Sequence, residues 1–317
     1  MVSPIQERKE TTGIASSTKT KMTRFLYDRF AKDYFQELLS PLGAVETSKD
    51  VAGEVREIDI YFVPSASPEM DKKTLGLLGR FADTKALIEP FRNAITRSEV
   101  RSCSTKLFDT CARFEREAKR NNTELPEDSL PRLWILSPTA SKGFLAGFGA
   151  ELDENQWGRG VHFFDQSWRG AVVVIHQLPV TPETLWLRLL GKGRVKQQAI
   201  EEVQALDINN PLRGKAIDLL ANLKTTLELN QNLDQEDRDL VMQLSPIYEQ
   251  RLAEAKQEGV QTERRTTIKN LLRVRFGTLD NDLQTIVEPL LALPPEEFTS
   301  LLLELSRNDL LTRFYQQ

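Results

Sequence analysis

The chain has 317 residues, 40% hydrophobic and 28% charged, and carries a formal net charge of −4. That balance suits a globular protein with a sizeable core, its length points to two domains, and it argues against a globally basic nucleic-acid binder while leaving room for a local basic groove. No apolar run approaches the roughly 20 residues needed to cross a bilayer, and two cysteines, two histidines and no Cys-x-x-Cys pair give no support to a structural zinc site.

Residues 1–21 are rich in Ser, Thr and Lys and lack an apolar signal core, so they read as a disordered tail, with Met22 as an alternative start. A cytoplasmic location is expected. From Thr23 to Leu39 the recurrence of Leu26, Phe30 and Tyr34 predicts a first helix, which Ser40-Pro41-Leu42-Gly43 ends. Gly43 to Thr47 suits a first strand. Val55 to Val63 suits a second, with Ile58, Ile60 and Phe62 on one face and Glu57, Asp59 and Tyr61 on the other. Leu75 to Phe81 suits a turn or short helix, and Ala86 to Phe91 a third strand.

Thr96-Arg97-Ser98-Glu99 has the form of a capping box and opens a helix to about Arg120. Cys103 and Cys111 fall on it, separated by about 12 Å of helix rise, too far for a disulfide. Leu133 to Leu136, Val161 to Phe164 and Ala171 to Leu178 suit further strands. Up to residue 137 the order is helix, three strands, helix, strand, an α/β layered core. Beyond Pro179 only helices are expected: Pro182 to Leu190, Val195 to Leu206, Pro211 to Asn230, Asp237 to Glu258, Thr262 to Arg275, Asp282 to Leu291 and Glu296 to Phe314.

Two acids stand where strand interiors should be apolar, Asp59 and Glu89. An acid there costs free energy unless it is solvated, paired or bound to a metal. Two on consecutive strands can hold a divalent cation; the bland alternative is a wet sheet face, with pairing to Arg56 or Arg92. Asp28 and Lys32, four apart, suit a surface ion pair. Arg113, Arg116, Lys119 and Arg120 can meet phosphates or form a solvated helix face. His176 suits a strand end, and Gly191-Lys192-Gly193-Arg194 lacks a phosphate-loop pattern and reads as a turn.

Element order and acids together resemble the PD-(D/E)XK nuclease superfamily, and within it the transposase-like, recombination-promoting group. Asp28-Arg29-Phe30-Ala31-Lys32 is similar to the signature that opens many members, Arg56-Glu57-Ile58-Asp59 to the metal-ligating second strand, and Ile88-Glu89 to the third. The resemblance covers residues 22–178. Leu271 to Gly277 and Leu301 to Phe314 are similar to a small domain appended to such proteins in cyanobacteria, and Glu89 to Asn93 and Thr181 to Arg188 fit that group.

The resemblance implies a restriction-endonuclease-like α/β domain over 22–180, with a mixed sheet flanked by helices. An all-α C-terminal extension follows: a helical linker region over 181–260 and a small helical domain over 261–317. It implies an Mg²⁺-dependent DNA nuclease or a degenerate, DNA-binding relative of one, with Mg²⁺, in the active case, held by Asp59 and Glu89 and with Glu57, Asp28 and Arg92 in support. The family places a lysine or glutamine two residues after the glutamate; here that residue is Phe91, and alternation turns Arg92 to the opposite face unless Pro90 makes a bulge. The alternative is a non-catalytic scaffold on an inactive nuclease-like core, self-associating through its C-terminal helices.

Overall fold

The computed structural model describes residues 26–51, 56–230 and 233–315; the expected tail over 1–21 and the first residues of the first helix lie outside them. Helix α1 (residues 26–39) buries Phe30, Tyr34 and Leu38 at four-residue intervals, with Phe35 and Leu39 beside them. Strands β1 (Gly43–Val51) and β2 (Arg56–Pro64) follow, and the short helix α2 (Leu77–Phe81) precedes β3 (Ala86–Pro90). Helix α3 (Arg97–Asn121) leads to β4 (Arg132–Ser137). Helix α4 (Lys142–Ala146) and strands β5 (Glu151–Leu152), β6 (Val161–Phe163) and β7 (Gly170–Val174) complete the α/β part.

The strands form one mixed sheet in the order β1-β2-β3-β4-β7-β6-β5. β3, β4 and β7 run parallel, and the flanking strands pair antiparallel. Both faces are covered. Ile60, Phe62, Ile88, Trp134, Leu136 and Val173 pack on one side with α1, whereas Tyr61, Leu87, Leu133, Ile135 and Val172 pack on the other with Val100, Cys103 and Leu107 of α3. Ile58 joins the α3 side with Tyr61, not Ile60 and Phe62 as alternation predicts. On the face that carries both acids Glu89 is buried beneath α3, so the wet-face alternative does not hold for it, while Asp59 is half-buried.

Helix α3 starts as expected: Glu99 N–H donates to Thr96 Oγ1, and the Glu99 carboxylate accepts from Thr96 N–H at 2.8 Å. Its buried stripe runs Val100, Cys103, Ser104, Leu107, Thr110 and Cys111. The hydroxyls of Ser104 and Thr110 donate to carbonyls one turn back, so those polar groups enter the interior satisfied. Cys103 and Cys111 are buried free thiols.

Past β7 come α5 (Leu185–Arg188), α6 (Gly193–Ala205), α7 (Arg213–Glu228) and α8 (Gln235–Phe276). Trp186, Leu189, Ile200, Val203, Leu220 and Leu244 from these helices share one core with α1 and the sheet. The chain divides into compact units Met1–Ile247 and Tyr248–Gln317. Much of the stretch expected as a linker thus packs as body of the first unit. Arg188, 1% exposed, fastens it: Nη1 and Nη2 grip Glu202 at 2.8 and 2.6 Å, Nη2 also donates to Thr181 O and Nε to Thr184 Oγ1, both at 3.0 Å. This fork ties α5 to α6.

The two helices expected over Asp237 to Glu258 and Thr262 to Arg275 are one, with Pro246 inside it. A single interior glycine, Gly259, costs only about 1 kcal/mol against alanine, too little to break a run of Glu, Gln, Arg and Ala. In the second unit α9 (Asn281–Thr285), α10 (Val287–Leu291), α11 (Pro295–Glu304) and α12 (Arg307–Tyr315) bury Leu283, Ile286, Leu290, Phe298, Leu302 and Leu310 around Ile268 and Leu272. Among the described residues no helix is long and apolar enough to cross a membrane.

Candidate functional site

Ile60 of β2 pairs with Ile88 of β3 in antiparallel register, and one step further Asp59 and Glu89 stand opposite each other. Glu89 is 2% exposed. From α3, Lys106 Nζ donates to Glu89 Oε2 at 2.7 Å, while Glu89 Oε1 is buried and meets no hydrogen-bond donor among the described residues. From α1, Lys32 Nζ lies 3.9 Å from Asp59 Oδ1 and donates to Asp28 Oδ2 at 2.9 Å. The expected Asp28–Lys32 surface pair therefore exists and also reaches Asp59. Two strands and two helices bring together two carboxyls, a third at the rim, and two ammonium groups.

Burial, then the charge of Asp59, push Glu89 up to about 8, with Lys106 pulling the other way. Burial also raises Asp59, against the pull of Lys106 and Lys32. Burial alone would lower Lys106, but Glu89 and Asp59 hold it above the ordinary lysine value. Two carboxyls facing across adjacent strands in a dry site cannot both ionise cheaply. Near neutrality the pair therefore keeps a proton that free carboxyls would have lost, and Lys106 stays charged.

Asp59 and Glu89 are the residues here that could hold a hard divalent cation, in competition with the ammonium groups of Lys106 and Lys32. Mg²⁺ keeps several waters and takes one or two protein carboxylates, and a buried carboxylate oxygen without a donor, beside a second carboxyl, is such a ligand set. Among the described residues no group of three or more His, Cys, Asp or Glu gathers as a metal cage, so a cation here would rest on Asp59 and Glu89.

Asp28 and Asp59 open onto a cleft of about 880 Å³, whose walls include Tyr27, Arg92, Arg194 and Lys196. Arg92 is not the cation of the acid pair. Its guanidinium lies 4.0 Å over the Tyr27 ring and donates at 2.6 Å to Asp237 Oδ1, which also accepts from Tyr27 Oη at 2.7 Å. Asp237 is fully buried, and a buried carboxylate stripped of its partner costs several kcal/mol, so Arg92 is committed there. Phe91 packs against the α3-side core.

Arg116, Lys119 and Arg120 are exposed and Arg113 half-buried on the far half of α3. Fourteen residues of helix, about 21 Å, separate Lys106 from Arg120, and none of the four lines the cleft. Glu57 is exposed, and the Arg56 side chain lies outside what is described. His176 is no base for the pair: its Nε2 accepts from Lys192 N–H at 3.3 Å. Gly191 to Arg194, expected as a plain turn, form the entry to α6 and line the cleft.

Lys106 is the residue that strand-based reasoning misses. Its one sequence signal is position: three after Cys103 and four before Thr110, it flanks the apolar stripe of α3, where an unneutralised lysine is out of place. No protein-family model, curated protein or solved structure matches the chain.

Proposed function

We propose that this chain is a PD-(D/E)XK-like, Mg²⁺-dependent DNA nuclease in which Asp59 and Glu89 hold the metal and Lys106 takes the part of the missing third-strand lysine. The observation that carries this reading is the 2.7 Å contact from Lys106 to Glu89 beside Asp59. It supplies from α3 the cation that Phe91 cannot supply from β3.

When bound, Mg²⁺ contributes Lewis-acid polarisation of the phosphate and a more acidic water. The chain's own groups do the rest. Asp59 and Glu89 would hold the ion as carboxylates, the proton that the buried pair keeps near neutrality passing to solvent. Lys106 spends one N–H on Glu89 and has donors left to orient a water or to offset charge growing on a phosphate oxygen. Lys32, held by Asp28, steadies the outer carboxyl, while the charge of Asp28 itself opposes its ionisation.

Supercoiled plasmid incubated with Mg²⁺ or Mn²⁺ tests this. Nicking or linearisation is expected, with Asp59→Asn and Lys106→Met each slower by about 10²-fold or more. Undiminished cleavage by Asp59→Asn would remove the pair from the mechanism.

A non-catalytic scaffold is the second reading. It is favoured by the acids at the start of α8: Asp237 neutralises Arg92, and Glu236 pairs with Lys192 at 3.2 Å, so two cleft cations are already spent. An inert wild type whose self-association, by light scattering, is lost on deleting residues 248–317 would support it.

A further inference from the structure

Three cationic side chains crowd one end of α6. Lys192 is its N-cap, Arg194 and Lys196 lie in and just beyond its first turn, and that turn holds no acid. A helix N-terminus carries partial positive charge and unsatisfied N–H groups, so acids are normally favoured there and bases disfavoured. The N-cap side chain makes no capping hydrogen bond. Gly193, Arg194 and Val195 are the first three helical residues, whose N–H groups have no intrahelical acceptor in any α-helix, whereas Lys192 N–H is taken by His176.

The side chains divide in the same way. The Lys192 ammonium is used, donating to Asn93 Oδ1 at 2.9 Å and to Glu236. Arg194 is exposed, and among the described residues it holds no carboxylate. Lys196 is only 4% exposed, yet among the described residues its ammonium meets no carboxylate and no hydrogen-bond acceptor. It sits over the rings of Tyr27 and Phe30, 5.3 and 5.2 Å from their centroids, and all three residues face the cleft that Asp59 enters. Burial, then the charge of Arg92, lower its pKa to about 8, with Glu236 and Asp237 pulling the other way. Gly193, at φ +50°, sits in the left-handed region with open space where a Cβ would be, so the backbone at this turn is accessible.

We propose that the first turn of α6, with Arg194 and Lys196, is a phosphate subsite that holds a backbone phosphate of a nucleic-acid strand lying in the Asp59 cleft. The choice of a nucleic-acid phosphate rests on the nuclease reading; the oxyanion chemistry does not. N–H groups at a helix start, a fork-shaped guanidinium and a buried ammonium line the same cleft, and such groups are how proteins receive phosphate.

The test uses the full chain without divalent metal. Amide spectra are followed as inorganic phosphate replaces chloride at constant ionic strength, and a labelled single-stranded oligodeoxynucleotide is titrated by fluorescence anisotropy. The Gly193, Arg194 and Val195 amides are expected to move with phosphate and to stay still in Lys196→Met. Oligonucleotide affinity is expected to fall at least threefold in Lys196→Met and in the exposed-site variant Arg194→Gln, with the salt slope reduced by about one. Still amides in the wild type overturn the subsite. Phosphate shifts combined with unchanged oligonucleotide affinity in both variants overturn its assignment to nucleic acid. Plasmid cleavage is scored separately: shifts without cleavage sink the nuclease reading alone, and cleavage without shifts sinks the subsite alone.

Discussion

Glu89 is held in a state the unfolded chain does not share. Its ordinary value is 4.5 and its folded value about 8, so between those limits the native protein keeps a proton that the unfolded chain has released. Stability contributed by this group is therefore lost as pH rises through that window, on the order of a few kcal/mol in all. Lys106 acts elsewhere: its raised value stabilises the fold below about 10.5 and is lost only above it. A divalent cation offsets the ionised pair, so Mn²⁺ is expected to raise the melting temperature more at pH 8.5 than at pH 6. Asp59→Asn, which removes the opposing charge, should flatten the metal-free decline and abolish the Mn²⁺ increment. Scanning calorimetry across pH measures both, and an increment independent of pH would show that no proton leaves on binding.

Elements differ in how plainly they are written. The α3 start was legible because a capping box is a local device complete within four residues, and β3 was legible from an apolar run bounded by turns. The unity of α8 was not, because its middle is polar and Gly259 there looks like punctuation. The role of Arg188 was not either, since Glu202 lies fourteen residues away and only folding sets the two ends of the fork together. Arg188→Lys keeps the charge but gives up the bidentate grip and the bonds to Thr181 and Thr184. A loss of about 2–3 kcal/mol is expected in urea unfolding. A change within experimental error would mean that Glu202 and the Thr181 to Thr184 turn find other partners without cost.

For the whole molecule, the boundary of the α/β body was the least legible feature. Helices after Pro179 looked peripheral because amphipathic periodicity reports which face is buried, not what buries it. Leu185, Trp186, Ile200, Leu220 and Leu244 all close the core under the sheet. A chain ending at Leu178 should therefore be insoluble or lack a cooperative transition, whereas one ending at Ile247 should fold with a single sharp transition by circular dichroism. The opposite outcome would make the helices an accessory layer. Of the candidate site, Asp59 and Glu89 were legible as acids out of place, and alternation already turned Arg92 from them, but its partner Asp237 on a distant helix was not legible. Lys106 has a wider consequence. Its partner glutamate lies seventeen residues before it, so the constellation has no compact text pattern. A search written as a strand motif discards this chain at Phe91. What fixes the constellation is a shape, two acids on paired strands beneath a helical lysine, which no rule of strand alternation can express.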